Sequence, residues 1–462
     1  MTTPDRDASP RSDSVFGHPY RSLTVGIIAI ITVAAFEGMA VITAMPVVVA
    51  DLHGLLWYAW TFTAFIAPSL YAMVVAGEMA DRRGPVKPLL LGLAGFGLGT
   101  LIAGLALGIP QLLVGRAVQG LGFGAVIVAI YVVIGKVYPE AMRPRMFTAL
   151  SGAWVIPGIL GPVIAGTIAD TVGWRWVFLG ILALLIPIAA VLVPRLTSLH
   201  LPGDPAATVR AGRKRRALLA AIGVGMLQLS GQLLTITSLA LALPALVLLA
   251  YSVPQLLPAG ALRLQRGLPM VVMMRGFLAG AFFGAEAFVP LMLINERGLT
   301  TAVAGLALTG GALGWFAGSW FQGRPDNQVP RWRLVQIGAA MVTVGILFTM
   351  LALVPSVPPL IVLATWAVGA VGMGLIFGSL GVLLLQLSPP EEQGVNSAAL
   401  QISDSLGVIT CAGLAGAVFA AGHTAAGADA AVFAVIFAAM AVVAGFATLV
   451  APRVRPIVVP VV

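Results

Sequence analysis

Four charged residues lie deep inside long apolar stretches of this sequence, namely Glu37, Arg116, Glu286 and Asp404, and Arg275 lies nearer the edge of another stretch. A charge at the centre of a bilayer costs about 2.5–3.5 kcal/mol on insertion scales, so such residues pair, face water or mark ion pathways. Desolvation raises the proton affinity of a carboxyl group and a nearby cation lowers it. The sequence therefore predicts proton coupling through the first four of these residues, with Glu37 and Glu286 as the leading proton carriers.

Each of these charges also has a structural interpretation. Arg116 can hold helices together, and Glu286 can be a hydrogen-bonded carboxyl within the packing. For Asp404, coupling, substrate contact and hydrogen bonding between helices all remain open.

The stretches around these charges are long enough to cross a membrane. Of the 462 residues, 59% are hydrophobic and 9% are charged, and the mean hydropathy is +1.02, which excludes a water-soluble domain. Because prolines and glutamines interrupt residues 217–258, two full spans and a lateral hairpin both remain open there. Breakers and charges delimit fourteen predicted spans, at 23–50, 57–80, 88–108, 110–135, 146–169, 174–194, 217–237, 239–258, 270–294, 301–322, 334–354, 359–387, 394–422 and 430–451.

Basic residues predict the orientation of these spans. The formal net charge is +9, but the 26 lysines and arginines come in short clusters between apolar runs, which argues against a nucleic-acid partner. Nearly all of them fall on the side of the N-terminus, so both termini are expected in the cytoplasm. A composition rich in arginine, alanine and glycine favours the cytoplasmic membrane of a bacterium.

The layout indicates two similar halves around a central site, which is how many transporters alternate access. We expect an all-α polytopic membrane protein with two six-helix bundles and two extra central helices. Its predicted parts are a cytoplasmic tail (1–22), an N-terminal bundle (23–194), a basic linker (195–216), two additional spans (217–258), a connector (259–269), a C-terminal bundle (270–451) and a cytoplasmic tail (452–462).

The sequence lacks the residue patterns expected for metal binding, nucleotide binding or enzymatic catalysis. Cys411 is the only cysteine, and the four histidines fall in the tail or at loops and span ends, so no metal site is expected. The sequence has no phosphate-binding GxxxxGK[ST] run and no set of Ser, His and acid at one membrane depth. We expect no cofactor and no enzymatic activity.

Residues 77–84, with the sequence GEMADRRG, stand at the junction of the second and third predicted spans. This run resembles the signature loop of the major facilitator superfamily, and the resemblance implies a conformational switch there. Physically, Asp81 follows a helix end, and the two arginines after it can bond carbonyls or carboxylates across the bundle. The predicted switch residues are Gly77, Asp81, Arg82, Arg83 and Gly84.

Three further runs are similar to motifs of that superfamily. Residues 112–120 look like its fourth-helix motif, whose arginine, here Arg116, is associated with proton coupling. Residues 37–46 resemble a motif of the fourteen-helix drug:proton antiporters, with Glu37 where an aspartate is usual. Residues 157–166 resemble the packing motif of antiporters, in which small residues permit close helix approach and proline bends the helix. Its predicted positions are Pro157, Gly158, Gly161, Pro162 and Gly166.

The predicted function is a proton-coupled exporter of small amphipathic or cationic compounds, acting as a monomer among membrane lipids. An apolar cavity with few charges suits such compounds better than sugars. An exporter of one metabolite or lipid remains an alternative, and a nontransporting receptor or scaffold a more distant one. Aromatic candidates for the cavity wall are Trp60, Phe62, Trp154, Trp315 and Phe377.

Overall fold

The computed structural model describes residues 14–54, 57–207, 212–233, 238–299, 301–422 and 429–455. Helices dominate this part of the chain, and it holds no β-strand. Eleven helical segments are long and apolar enough to cross a membrane. Many of their outward side chains are apolar, and Leu449, Val442 and Val247 are 67–79% exposed. Exposure of this kind is expected of a lipid-facing surface, so the protein is an all-α, multi-pass membrane protein, as predicted.

Six long helices form the first half. They are α1 (Arg21–Asp51), α2 (Tyr58–Arg83), α3 (Val86–Gly104), α4 (Ile109–Val137), α5 (Arg143–Thr171) and α6 (Arg175–Ser198). A short 3-10 helix, Glu140–Met142, comes between α4 and α5.

Two helices follow, α7 (Arg213–Leu233) and α8 (Leu239–Leu256), which pack against each other while α7 packs against α2. The basic run at 213–216, expected in the linker, instead forms the first turn of α7. By length and composition, neither α7 nor α8 is among the eleven membrane-crossing segments of the described chain. α8 has 18 residues and therefore spans only about 27 Å.

The second half contains α9 (Leu268–Glu286), α10 (Val289–Arg297), α11 (Thr301–Gly323), α12 (Arg331–Thr349), α13 (Ile361–Leu387), α14 (Gln393–Gly422) and α15 (Ala430–Val450). The predicted span 270–294 is not one continuous helix, because α9 ends at Glu286 and α10 begins at Val289. Pro290 has no N–H to donate to the carbonyl of Glu286, which accounts for the break.

The same pairs of helices pack in each half. In the first half α1 packs with α5 and α6, and α4 packs with α2 and α3. In the second half α9 packs with α14 and α15, and α13 packs with α11 and α12. The 3-10 helix before α5 also has a counterpart, Pro390–Glu392, before α14. The halves are therefore structural repeats, in which α1 corresponds to α9, α4 to α13 and α5 to α14.

A glycine contact sets the distance between α9 and α14. A Cβ atom on Gly407 would lie 2.0 Å from the carbonyl oxygen of Gly276, whereas one on Gly413 of the same helix would meet no atom within 4 Å. These two positions make a matched pair for testing the packing.

We expect Gly407→Ala to lower the free energy of unfolding by about 1–3 kcal/mol, because the added methyl group meets backbone that cannot move aside. Gly413→Ala should be neutral or stabilise the helix by up to about 1 kcal/mol. Thermal unfolding of the purified variants in detergent measures both effects, and equal effects of the two substitutions would contradict the packing described here.

Candidate functional site

An ion pair joins α1 to α4 in the interior of the first half. Arg116 donates from Nη1 to Oε1 of Glu37, and the two residues are 3% and 2% exposed. Isolated buried charges are unstable in a low-dielectric interior, whereas a hydrogen-bonded pair is tolerated. The charges of Glu37 and Arg116 therefore compensate each other.

Neighbouring polar groups complete the surroundings of Arg116. Its Nε donates to the carbonyl of Thr61 at 3.2 Å, and its Nη1 also donates to Oε1 of Gln119 at 2.6 Å. Gln119 donates in turn to Thr100 Oγ1 at 2.9 Å, and the guanidinium carbon lies 4.5 Å from the centre of the Phe65 ring. The arginine is thus held by α1, α2 and α4 together.

Glu286 has different surroundings in the second half. It is partly exposed at the end of α9, and its Oε1 accepts a long hydrogen bond of 3.4 Å from the indole Nε1 of Trp366 on α13. Within the described residues it forms no salt bridge.

The two carboxyl groups belong to equivalent helix pairs of the repeat. Glu37 pairs from α1 to α4, and Glu286 pairs from α9 to α13. Arg116 in α4 and Trp366 in α13 stand the same distance before the ends of their helices, at Val137 and Leu387, and each is followed by Ala-Val. An indole therefore takes the place of the guanidinium in the second half, and Glu286 lacks the counter-charge that Glu37 has.

A second ion pair links α9 to α14. Arg275 Nε donates to Asp404 Oδ1 at 2.6 Å, and the Asp404 side chain is 24% exposed. The Arg275 guanidinium lies 3.1 Å from the centre of the Phe377 ring. Tyr131 on α4 lies within electrostatic reach of both charges, so this pair also faces the first half.

Two of the five predicted cavity aromatics come together. Trp315 and Phe377 contact each other with ring centres 4.6 Å apart, and Trp315 also contacts Phe282. Phe282 stacks on Trp366 at 4.6 Å. These four rings, which we call the aromatic cluster, connect Glu286 to the Arg275–Asp404 pair.

The other three predicted aromatics lie elsewhere. Trp60 and Phe62 stand near the start of α2, where their ring partners are Trp57 and Tyr58. Trp154 on α5 is 42% exposed. None of these three contacts the aromatic cluster through a ring pair that the described chain contains.

The signature loop contacts the opposite half through Asp81. The backbone N–H groups of Gly394 and Val395, in the first turn of α14, donate to its two carboxylate oxygens at 2.6 and 2.7 Å. A carboxylate at a helix N-terminus satisfies otherwise unpaired N–H groups and interacts favourably with the helix dipole. A Cβ on Gly77 would lie 2.5 Å from the Gly394 carbonyl oxygen, so Gly77 permits this close approach.

The arginines of the loop do not take the predicted role. Arg82 and Arg83 are exposed, and within the described residues neither makes a hydrogen bond or ion pair across the halves. Gly84 does have a structural role, since its φ of +82° is left-handed and a Cβ there would lie 2.0 Å from the Leu201 carbonyl oxygen.

A matching contact joins α11 to α5 at the same end of the bundle. Gln322 Nε2 donates to the carbonyl of Pro144 at 3.1 Å, and Gln322 Oε1 accepts from Arg331 at 2.8 Å. Pro144 is the second residue of α5, as Gly394 is of α14. Since proline has no N–H to offer a carboxylate, the amide of Gln322 suits this place better than an aspartate.

Several hydrogen bonds of the described residues join the two halves at this end. They comprise the contacts of Asp81 and Gln322, those of Thr148 and Ser151 with Ser319, and one between Gln386 and Glu140. We call this the basic end, because Arg82, Arg83 and the start of α7 lie there.

The antiporter-like motif packs only in part as predicted. A Cβ on Gly161 would lie 3.0 Å from Cβ of Met39 on α1, and one on Gly166 would lie 3.9 Å from Thr43. Gly158 has open space instead, so the predicted close approach is wrong at that position. Pro157 and Pro162 both lie inside α5.

Six residues around the buried charges were not predicted: Thr61, Phe65, Gln119, Thr100, Tyr131 and Trp366. Gln119 follows Arg116 by three positions on one helix, so its polarity and spacing were a usable signal. Nothing in the sequence singles out Tyr131 or Trp366 among the other aromatic residues, because only the packing of distant helices brings them to a charge.

Two structural repeats of membrane-crossing helices, with charges buried between the helices, are the architecture of a secondary transporter. A sequence model of the Major Facilitator Superfamily matches residues 27–410, and the chain belongs to that superfamily. It is a member of a transporter family and not an enzyme.

Relatives and solved structures agree with this assignment. The chain is 26% identical over 396 residues to the multidrug transporter protein MdtP of Bacillus subtilis (strain 168), covering 83% of this chain and 72% of that one. It is 33% identical over 153 residues to the probable multidrug-efflux transporter Rv1634 of Mycobacterium tuberculosis (strain ATCC 25618 / H37Rv), covering 33% of this chain and 32% of the relative. The fold is similar to a bacterial homologue of the iron transporter ferroportin in the outward-facing state, with a TM-score of 0.69, 12% identity and coverage of 94% and 98%.

We expect Glu37→Gln to destabilise the protein by about 3–5 kcal/mol, because it leaves Arg116 buried without its counter-charge. Glu286→Gln is the matched control, since Glu286 has no such partner, and should change stability by less than about 1 kcal/mol. Thermal unfolding in detergent measures both. Similar losses in the two variants would show that the halves do not differ as described.

We expect Asp81→Asn to weaken closure of the basic end by about 1–2 kcal/mol, because the charged acceptor at α14 is lost. Cysteines replacing Glu140 and Gln386, which contact each other across the halves, report closure through their cross-linking rate in a Cys411→Ala background. Asp326→Asn, on an exposed loop, is the control. An unchanged rate in Asp81→Asn would refute the role of Asp81 as a latch.

Proposed function

We propose that this protein is a proton-coupled exporter of small amphipathic or cationic compounds that works by alternating access. The observation that carries the proposal is the place of Glu286, a partly exposed carboxyl beside the aromatic cluster with an indole in place of a counter-charge. Protonation, or binding of a cation, compensates the charge of such a carboxyl. The two events exclude each other at one group, which is the requirement for exchange.

The surrounding groups divide the remaining tasks. Trp315 and Phe377, the two partly exposed rings of the aromatic cluster, offer flat apolar surface and ring faces that attract cations. Arg275 and Asp404 stand at the other side of the cluster, where Asp404 is accessible enough to contact a substrate or a proton. In this scheme Glu37 and Arg116 hold α1, α2 and α4 together, so that these helices move as a unit. Glu286 is the principal proton carrier.

The contacts at the basic end support a cycle between two states. With Asp81 on α14 and Gln322 on α5, the halves are held together at that end, which the charge distribution places in the cytoplasm. Release of these contacts lets the halves rock and opens the site to the cytoplasm. A proton then enters from outside as substrate leaves.

The setting we infer is the cytoplasmic membrane of a bacterium, with both termini in the cytoplasm and lipid around a functional monomer. The fourteen-span layout belongs to this proposal, with α7 and α8 as the additional pair. The names of the relatives, a multidrug transporter and a probable multidrug-efflux transporter, support export of varied compounds.

An exporter of one metabolite or lipid is the second candidate. It is favoured by the position of α7 beside α2 and by the exposed apolar face of α8, which includes Leu243, Leu246 and Val247. A helix pair placed there can line a sideways entrance from the bilayer.

We expect membrane vesicles holding the wild type to export a fluorescent lipophilic cation only when a pH gradient is present. Glu286→Gln should reduce export to the rate of vesicles without the protein, because glutamine neither releases a proton nor attracts a cation. Asp170→Asn, at an exposed carboxyl on α5, should leave export unchanged.

Two outcomes would contradict the proposal. Gradient-driven export that survives in Glu286→Gln would remove that residue as the carrier. Absence of export by the wild type, with protein confirmed in the vesicles, would favour a specific metabolite or lipid instead.

A further inference from the structure

A cavity of about 330 Å³ lies at the basic end, away from the aromatic cluster. Its walls come from the end of α2, the segment after α8, the start of α9 and the start of α14. We call it the seam cavity, because α2 and α14 belong to opposite halves. Six of its lining residues are charged: Glu78, Asp81, Arg82, Arg213, Glu391 and Glu392.

Two of these charges are already engaged by the protein backbone. Asp81 accepts from the two N–H groups of α14, and Arg213 donates to the carbonyls of Leu256 and Val395. With Lys214, which pairs with Glu78, the charges at the cavity are four carboxylates and three basic groups. The balance is negative, so the seam cavity favours a cation.

Glu78 is the most informative of these groups. Its residue is 3% exposed, and Oε2 lies 3.8 Å from the mobile ammonium of Lys214, whose side chain is 59% exposed. Its other oxygen, Oε1, is buried and accepts no hydrogen bond from the described residues. Buried polar groups nearly always have a partner. Because Glu78 lines the seam cavity, its unpartnered oxygen indicates a donor supplied from outside.

The rest of the lining is apolar and includes Leu257, Pro258 and Leu268. A ligand that satisfies both surfaces carries an ammonium group next to a compact apolar body, and 330 Å³ accommodates one of modest size. A bare metal ion fits less well, since the described chain contains no group of three acidic, His or Cys side chains arranged to hold one.

We propose that the seam cavity is a binding site for a small amphipathic amine, separate from the export site, which forms when the basic end is closed. The ammonium group donates to Glu78 Oε1, and its apolar body rests on the residues after α8. Because the walls belong to opposite halves, a bound amine stabilises the closed state and inhibits the cycle from the cytoplasmic side. The hairpin α7–α8 supplies part of this wall.

Binding of 2-phenylethylammonium to the full-length protein, measured by calorimetry, tests the proposal. Because the proposed export site also takes amphipathic cations, binding is compared in the Glu286→Gln background. Glu286→Gln should retain binding of the amine at the seam cavity, whereas Glu286→Gln/Glu78→Gln should bind it about tenfold more weakly or worse, because a charge-assisted hydrogen bond is lost. The uncharged isostere 2-phenylethanol should not bind measurably. Glu391→Gln/Glu392→Gln, at two exposed residues, weakens binding by a smaller factor and guards against a folding defect in Glu78→Gln.

The cross-linking rate of the Glu140→Cys/Gln386→Cys pair supplies a second readout. The amine should raise this rate in the wild type and not in Glu78→Gln. Equal amine binding by Glu286→Gln and Glu286→Gln/Glu78→Gln, or equal binding of the amine and the alcohol, would overturn the proposal. Loss of binding in Glu286→Gln alone would place the amine at the export site and also overturn it. Export activity enters none of these outcomes, so failure of the exporter proposal is distinguishable from failure here.

Discussion

The need to compensate charge inside the hydrocarbon governs the interior of this protein. In the first half Glu37 and Arg116 satisfy each other, and Gln119 and Thr61 take up further donors of the arginine. The equivalent helix pair of the second half keeps the carboxyl but replaces the guanidinium by the indole of Trp366. A buried pair that cannot be broken cheaply is suited to hold a bundle together, whereas a carboxyl without a counter-charge is suited to exchange ligands. In the proposed mechanism, the ion pair of the first half therefore stabilises the bundle, and Glu286 of the second half exchanges the ligand.

The contact between the halves follows the same repeat with a second departure from symmetry. At α14 the second residue is Gly394, which offers an N–H to Asp81 and lets Gly77 approach. At α5 the second residue is Pro144, which offers only a carbonyl, and Gln322 donates to it. One contact is charged and the other neutral, although the helices are arranged alike. The seam cavity lies directly beside the charged contact.

Much of the architecture is readable from the sequence, because a membrane span needs about 20 apolar residues and few other folds produce such runs. Glu37, Arg116, Glu286 and Asp404 stand out for the same reason, since charge in an apolar run is rare. Their partners do not stand out. Trp366 and Tyr131 become relevant only when helices far apart in sequence meet, and the pairing of Arg275 with Asp404 depends on the rotation of α9 and α14. Two local rules also mislead. A glycine in a packing motif predicts close helix approach, but Gly158 meets no neighbour. A proline predicts a helix break, and Pro290 does break a span, but Pro46 leaves α1 continuous.

In the proposed cycle, Glu286 gives up a proton when a cation binds. Proton release from the purified protein in weakly buffered detergent solution, recorded with a pH indicator as a lipophilic cation is added near neutral pH, tests this most directly. We expect the wild type and Asp404→Asn to release protons, and Glu286→Gln to release none although it remains folded. Release of the same size from Glu286→Gln, or cation binding by the wild type without any release, would contradict it.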